Sequence, residues 1–274
     1  MGYSCGLLST IANYVGEKGT EAVNTTSDPI TINSLLNEMV KAGCEYCFME
    51  VSSIGVEQDR VAGLHFKAAI FSNLTHDHLD YHKTFAEYIR AKKLFFDNLS
   101  KDSFAIVNSD DRNGLVMLQN TAAQSFTLSL RSHADFCCKI LESTVEGMLL
   151  RIDNSDVWVS FLGRFNAYNL LTVYAAAVKL GFERSEVLRC LSMLTPVDGR
   201  FDIVRAADGS IAIIDYAHTP DALENILKTV AEIRTKNQSV TTICGCGGER
   251  DTTKRPEMAQ IAVENSDMAI LTSD

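Results

Sequence analysis

The chain has 274 residues, of which 46% are hydrophobic, enough for one large domain or two modest ones with buried cores. Its 25 basic and 35 acidic residues give a formal net charge of -10, so the sequence lacks the basic footprint expected of a protein that binds nucleic acid or an anionic membrane. No apolar stretch approaches the roughly 18 residues of a membrane span and no export signal opens the chain, so we expect no membrane insertion and a cytoplasmic location.

The eight cysteines lie in apolar segments or in one glycine loop, without the regular spacing of a disulfide framework. We therefore predict reduced, structural thiols. The pairs Cys44/Cys47 and Cys244/Cys246 could each be half of a zinc site, but no matching second pair follows either of them.

Strand and helix patterns alternate along the chain, which is typical of a doubly wound α/β sheet. The first part is predicted to contain a helix opened by Asp28-Pro29, strands at 47–51, 67–71 and 104–107, a helix capped by Thr84, an antiparallel hairpin at 147–161 turning near Asn154-Ser155, and helices at 166–180 and 185–194. A second unit begins near Gly199, with strands at 211–214, 240–243 and 268–271 and helices opened by Thr219-Pro220-Asp221 and at 254–263.

Residues 73–82, Asn-Leu-Thr-His-Asp-His-Leu-Asp-Tyr-His, follow the predicted strand at 67–71. Carboxylates and imidazoles at the carboxyl edge of a sheet suit a divalent metal together with phosphate oxygens. The alternative is a solvated loop. Glu50 also ends a predicted strand, where it is either a magnesium ligand or a cap of the next turn.

Lys92 occupies the missing step of an apolar helical stripe, which consists of Phe85, Tyr88, Ile89, Phe95, Phe96 and Leu99. The pattern therefore predicts that Lys92 points inward. Such a lysine either extends its ammonium to the edge of the core or has a special role, because burial disfavours the charged amine.

Two further segments of the second unit are candidates for ligand binding. Asp215 follows a strand, where it would accept hydrogen bonds from ribose hydroxyls or cap the next helix. Residues 244–251 form a glycine loop with Lys254 and Arg255 behind it, an arrangement that suits an anion, although many glycine turns bind nothing.

Eight segments in this order resemble the Mur ligase family over nearly the whole chain. They are residues 24–26, 49–60, 73–82, 91–92, 165–169, 198–201, 215–221 and 245–256. Asn24-Thr25-Thr26, the run at 50–53 and the run at 215–221 are most similar to the branch that adds the third residue of the muramoyl peptide.

The resemblance implies a central ATP-binding domain over residues 1–198, with a mostly parallel doubly wound sheet plus a small antiparallel hairpin region, followed by the start of a Rossmann-like C-terminal domain over 199–274. It implies a ligase of peptidoglycan synthesis, and so of cell shape and division, which uses ATP and Mg2+. The implied substrates are meso-diaminopimelate and a UDP-N-acetylmuramoyl dipeptide, joined through an acyl phosphate.

The resemblance also implies roles for individual residues. Those at the UDP-muramoyl dipeptide would be Asn24, Thr25, Thr26, Ser52, Gln58 and Arg60. The catalytic magnesium ligands would be Glu50, His78 and a carbamylated Lys92. Asn166 and Asn169 would lie near adenine, Arg200 near the phosphates and Asp215 at the ribose. Arg255 would meet the incoming amino acid, whose second carboxylate an arginine fork can bind.

The sequence departs from the family pattern at both ends. The family's glycine-rich phosphate loop with Lys-Thr would lie upstream of Met1 and occurs nowhere in the 274 residues, and an Asp-Asn-Pro motif would begin at Asp274. We therefore expect a fragment that is inactive alone. The alternatives are a lysine-adding homologue, a non-catalytic nucleotide-binding module with this fold, and a folylpolyglutamate synthase-like ligase.

Overall fold

The structure, a computed structural model, describes residues 1–75, 79–235, 237–246 and 254–273. The chain forms two compact units. The first contains residues 1–69, 81–105 and 116–125, and the second contains residues 70–80, 106–115 and 126–274.

The strands are β1 (Cys5–Leu8), β2 (Ala12–Val15), β3 (Lys18–Glu21), β4 (Tyr46–Met49), β5 (Ala68–Phe71), β6 (Phe104–Asn108), β7 (Gln124–Ser129), β8 (Phe136–Thr144), β9 (Gly147–Ile152), β10 (Ser155–Val159), β11 (Asp202–Arg205), β12 (Ile211–Ile214), β13 (Thr241–Cys246) and β14 (Met268–Ser273). The helices are α1 (Pro29–Lys41), α2 (Ser53–Glu57), α3 (Leu79–His82), α4 (Phe85–Asp97), α5 (Gly114–Met117), α6 (Arg164–Lys179), α7 (Arg184–Ser192), α8 (Pro220–Ile233) and α9 (Lys254–Glu264).

The first sheet has the strand order β3-β2-β1-β4, with β1 antiparallel to β2 and parallel to β4. Helix α1 begins at the predicted cap, where the Asp28 side chain accepts hydrogen bonds from the Ile30 and Thr31 amides. It packs its buried Ile32 and Met39 against Leu8. Strands β1 to β3 were not predicted, because they are four residues long and β3 is exposed at every position.

The second sheet has the strand order β10-β9-β8-β7-β6-β5. All five residues of β6 are buried. Strand β8 is parallel to β7 and antiparallel to β9, and β9 and β10 form the predicted hairpin. Its turn lies one residue earlier than predicted, at Asp153-Asn154, where both φ angles are positive as a tight hairpin turn requires.

The last part of the chain forms two strand pairs, β11 with β12 antiparallel and β13 with β14 parallel. Helices α8 and α9 contribute a small core of Leu223, Leu227, Met258 and Ala262. Together with the sheets above, this confirms the predicted mixed α/β class.

Three predictions about composition are also addressed by the structure. All eight cysteines are free. Within the described ranges, no group of three or more His, Cys, Asp or Glu side chains is placed to hold a metal ion. No helix in that same part of the chain is long and apolar enough to cross a membrane.

Candidate functional site

Glu50 is exposed and directly follows β4. Its carboxylate accepts hydrogen bonds from the turn that follows β1. The Thr10 amide donates to Glu50 Oε2 over 2.9 Å, and the Thr10 hydroxyl donates to the same oxygen. Thr25 Oγ1 lies 3.2 Å from Thr10 Oγ1. Glu50 does not cap the next turn, because Ser52 caps α2 by accepting from the Gly55 amide. Thr10, which we did not predict, therefore joins Glu50 and Thr25 in an oxygen-rich cluster; its sequence signal is a Ser-Thr pair directly after a strand.

Thr26 is buried, with 2% of its surface exposed, and it ties the bend at 23–26 to the end of β4. Its hydroxyl donates to the Glu50 carbonyl oxygen over 3.0 Å and accepts from the Ser52 amide over 2.9 Å. A Cβ added at Gly55 would lie 2.8 Å from Thr26 Cβ. The glycine therefore lets α2 approach this bend closely.

Arg60 joins two of the predicted substrate residues. Its Nη1 donates to the Thr26 carbonyl oxygen over 2.7 Å, while Nε and Nη2 both donate to Gln58 Oε1 over 3.0 and 2.6 Å. Gln58 in turn donates to the Tyr81 hydroxyl over 3.2 Å. Of the six residues predicted at the muramoyl dipeptide, Thr26, Ser52, Gln58 and Arg60 are thus linked by hydrogen bonds, Thr25 belongs to the Glu50 cluster and Asn24 is exposed.

The segment at 73–82 is described at its two ends, and His76, Asp77 and His78 lie outside the described residues. His82 is 3% exposed, so it is not part of a solvated loop. Its Nε2 lies 2.8 Å from Ser53 Oγ, and its ring stacks on Tyr88 with a centroid distance of 5.1 Å. Lys92 Nζ lies 5.3 Å from the centre of the Tyr88 ring. Lys92 is half-buried, less enclosed than an inward position implies.

In the second unit, the predicted adenine residues lie in the first turns of α6. Asn166 Nδ2 donates to the Leu162 carbonyl oxygen over 2.9 Å, and Asn169 Nδ2 donates to Asn166 Oδ1 over 3.3 Å. The side chains of Asn166 and Asn169 are therefore adjacent, and Asn169 is exposed.

Arg200 and Asp215 are brought together by the pairing of β11 with β12. The Arg200 guanidinium lies 4.6 Å above the Tyr216 ring, and Asp215 Oδ2 accepts from the Phe201 amide over 2.7 Å. Asp215 does not cap α8, since the Thr219 hydroxyl accepts from the Ala222 amide at that helix end. The capping alternative for Asp215 is therefore wrong.

Arg255 lies in the first turn of α9, at a cavity of about 350 Å³ beside the carboxyl ends of β13 and β14. The cavity is lined by Cys244, Gly245, Cys246, Arg255, Met258, Ala259, Leu271, Thr272 and Ser273. Burial raises the pKa of the Cys244 thiol, which keeps it protonated and unreactive near neutrality. The rest of the glycine loop, residues 247–253, lies outside the described residues.

The structure is a mixed α/β architecture with candidate ligand residues placed after β4, before β11 and after β12, and proteins of this class commonly bind ligands at the ends of their strands. The chain belongs to the Mur ligase family: the Mur ligase middle domain matches residues 1–177, and the Mur ligase, glutamate ligase domain matches residues 199–274.

Similar proteins carry the name UDP-N-acetylmuramoyl-L-alanyl-D-glutamate--2,6-diaminopimelate ligase. One from Cytophaga hutchinsonii is 53% identical over 274 residues, and one from Phocaeicola vulgatus is 56% identical over 273 residues. In both comparisons the match covers 100% of this chain and 56% of the relative, so the chain spans little more than half their length.

Solved structures with the same kind of fold also match this chain. One bearing that ligase name aligns over 99% of this chain and 56% of its own, with 31% identity and a TM-score of 0.75. A folylpolyglutamate synthase from Mycobacterium tuberculosis aligns with a TM-score of 0.69 at 15% identity, which shows a shared fold alone.

Proposed function

We propose that the chain is the part of an ATP-dependent ligase that holds the carboxylate substrate and much of the nucleotide, and that this ligase adds meso-diaminopimelate to UDP-N-acetylmuramoyl-L-alanyl-D-glutamate. The observation that carries the proposal is the hydrogen-bonded set formed by Thr26, Gln58 and Arg60, with Ser52 bound to Thr26. Thr26 is distant in sequence from the other three residues, and all four were assigned to one substrate by the family resemblance. The name of the relatives supports the same substrate.

The reaction we propose has two steps. The free D-glutamyl carboxylate accepts the γ-phosphoryl group of ATP, which gives an acyl phosphate and ADP. The incoming amine then attacks the acyl carbon and expels phosphate, so that an amide bond forms. The protein contributes mainly by positioning and by offsetting charge, because two anions have to meet in the first step.

The donor set near Glu50 fits magnesium, since carboxylate and hydroxyl oxygens are the ligands that this hard cation prefers. Glu50 would hold it, with His78 and a carbamylated Lys92 as the other proposed ligands. When bound, Mg2+ supplies charge stabilisation to the phosphoryl oxygens. Thr10 keeps the Glu50 carboxylate oriented through two hydrogen bonds.

For the nucleotide we propose Asn166 and Asn169 at adenine, Asp215 at the ribose and Arg200 at the phosphates. Arg200 rests on the Tyr216 ring, a stacking that restrains the guanidinium without using its donors, so the donors stay directed at an anion. We further propose a cytoplasmic location, in keeping with eight free thiols.

The choice of amino acid is proposed to depend on Arg255. The cavity beside it, about 350 Å³, falls within the size range of small-molecule sites. An arginine fork binds a carboxylate through two parallel charge-assisted hydrogen bonds. Diaminopimelate presents a second carboxylate at its far end, whereas lysine presents an ammonium that a guanidinium repels.

The test uses a full-length polypeptide, in which this chain is joined to the flanking segments of the Cytophaga hutchinsonii relative. Release of phosphate from ATP is measured with the muramoyl dipeptide and either meso-diaminopimelate or L-lysine. We expect turnover with diaminopimelate and a preference of about a hundredfold or more over lysine, which Arg255→Ala reduces through a raised KM. Lys254→Ala is the matched control and should leave the preference intact. Equal use of both amino acids by the parent, or an Arg255→Ala variant with an unaltered KM, would contradict the assignment.

A further inference from the structure

A polar turn directly after β6 joins three elements of the second unit. Within it, the Asp110 amide donates to Asn108 Oδ1 over 3.0 Å, and the Gly114 amide donates to the Asp111 carbonyl oxygen over 2.9 Å. A Cβ added at Gly114 would lie 2.0 Å from the Asn108 carbonyl oxygen, so the turn closes tightly only with glycine there. The two carboxylates of this turn, Asp110 and Asp111, point to different partners.

We propose that Asp110 and Asp111 are positioning residues for ligation: Asp110 fixes the first turns of α6, and Asp111 fixes the segment that follows β5. The inference rests on the proposed function, because those two elements carry the proposed adenine residues and lead into the proposed metal segment. Neither aspartate is itself assigned to touch a substrate.

The Asp110 carboxylate is hydrogen-bonded to residues of both β7 and α6. Asp110 Oδ1 accepts from the Ser129 hydroxyl over 2.7 Å, while Oδ2 accepts from the Leu130 amide over 2.8 Å and from the Tyr168 hydroxyl over 2.7 Å. Desolvation raises the pKa of Asp110, but the hydrogen bonds from Ser129, Tyr168 and Leu130, together with the charge of Arg131, lower the pKa by more. The carboxylate is therefore ionised at neutral pH, and hydrogen bonds to an ionised group are stronger than neutral ones.

Tyr168 links this carboxylate to the candidate nucleotide residues. It lies in α6 between Asn166 and Asn169, and its hydroxyl donates a hydrogen bond from that helix to Asp110. The α6 N-cap, Gly163, provides no side-chain hydrogen bond. The Tyr168–Asp110 bond therefore adds a polar restraint to the first turns of α6, whose Ala167 and Leu170 are buried.

The Asp111 carboxylate is hydrogen-bonded to the segment after β5. Asp111 Oδ2 accepts from the Leu74 amide over 3.0 Å, and Oδ1 accepts from the Asn113 amide over 2.7 Å. Leu74 is 7% exposed and stands two residues before His76 in the sequence. Both carboxylate oxygens are used by backbone amides, so an amide side chain at this position would turn its NH2 group towards one of them.

The first test measures kinetics in the full-length polypeptide described above. Tyr168→Phe keeps the ring and removes the hydroxyl, and we expect it to raise the KM for ATP about tenfold while kcat changes by less than about twofold. Tyr174→Phe is the matched control: Tyr174 lies on the same helix, is 1% exposed and also has an aspartate partner, Asp153. We expect the control to leave the KM for ATP unchanged. An unchanged KM for ATP in Tyr168→Phe, or an equal rise in both variants, would overturn the positioning role of Asp110.

The second test uses the 274-residue chain and needs no activity. Hydrogen exchange is measured at the Leu74 amide in Asp111→Asn, with Asp135→Asn as control, because Asp135 also accepts a backbone amide, that of Thr127. Faster exchange at the Leu74 amide in Asp111→Asn alone supports the proposal. An exchange rate equal to that of the parent overturns the positioning role of Asp111. The amides of Asn166 and Ala167, which bond to the Gly163 carbonyl oxygen, report on Tyr168→Phe in the same way. If the parent does not ligate, the proposed function fails while these exchange rates still decide the positioning roles.

Discussion

Replacing Thr26 by valine should destabilise the chain markedly, although the two side chains have nearly the same shape. The change removes both hydrogen bonds of the Thr26 hydroxyl and leaves the Glu50 carbonyl oxygen and the Ser52 amide without that partner. Leaving a buried polar group unsatisfied costs about 1–3 kcal/mol, so we expect a loss of about 3 kcal/mol in the free energy of unfolding for the pair. Solvent that reaches the exposed Glu50 and the half-buried Ser52 keeps the loss below the upper limit.

Thr26→Ser is the matched control, because it retains the hydroxyl and removes only the methyl group near Gly55. Deleting that buried methyl should cost about 1 kcal/mol. The assay is urea denaturation followed by far-ultraviolet circular dichroism, with the free energy of unfolding extrapolated to water. If the valine variant is as stable as the serine variant, or more stable, the hydroxyl does not hold this bend and the reasoning is wrong.

Three other changes have expected outcomes. Gly163 has φ 85 and ψ 144, and an added Cβ would lie 2.6 Å from Phe165 Cε1 and 2.9 Å from Thr229 Oγ1, so Gly163→Ala should lower the free energy of unfolding by about 3 kcal/mol. The control Gly181→Ala, with φ 97 and open space around the added Cβ, should lower it by about 1–2 kcal/mol. Equal losses in thermal melts would argue against a steric clash at Gly163. Desolvation and the hydrogen bond to Asp110 raise the pKa of Tyr168 from 10.0 to about 12. The contribution of the Tyr168 hydroxyl to stability should therefore be complete below pH 10 and lost as the pH rises through 12. A phenolate absorbance titration in which Tyr168→Phe does not remove a late-titrating group would refute this pKa. In the full-length polypeptide, Lys92→Ala should reduce turnover on the order of a thousandfold, with partial rescue by short carboxylates, and an unaltered rate would rule out a metal-facing carbamate.

The sequence predicts best those elements whose ends are marked by local chemistry. Helix α4 begins at the predicted capping box, where Thr84 accepts from the Glu87 amide, and the β9–β10 turn has the positive φ angles that its residues favour. Such signals act over three or four residues, so they do not depend on the rest of the fold. The short strand β3 has no such signal, because none of its side chains is buried and its pairing with β2 alone defines it.

The candidate site was predictable residue by residue, but its connections were not. The family resemblance assigned Thr26 and Arg60 to one ligand, yet the hydrogen bond between them spans 34 positions and follows only from the fold. The turn at Asp110 and Asp111 was missed for the same reason. Two acidic residues after a buried strand look like an ordinary exposed turn until their partners on β7, on α6 and after β5 are known.

The interleaving of the two units bears on the order in which the chain can fold during synthesis. Residues of the first unit occur in three stretches, the last of which ends at residue 125, while stretches of the second unit begin at residues 70 and 106. On the ribosome, therefore, neither unit is complete when residue 105 has been made, and β5 must wait for β6, its neighbour in the second sheet, to be completed. The segments that separate the stretches of one unit are short, the longest being residues 81–105, so closing them costs little entropy. The delay nevertheless exposes apolar strands such as β6 to aggregation. A protease that cuts once between the units would likewise release neither of them, because each stretch remains held by the non-contiguous parts of its own unit.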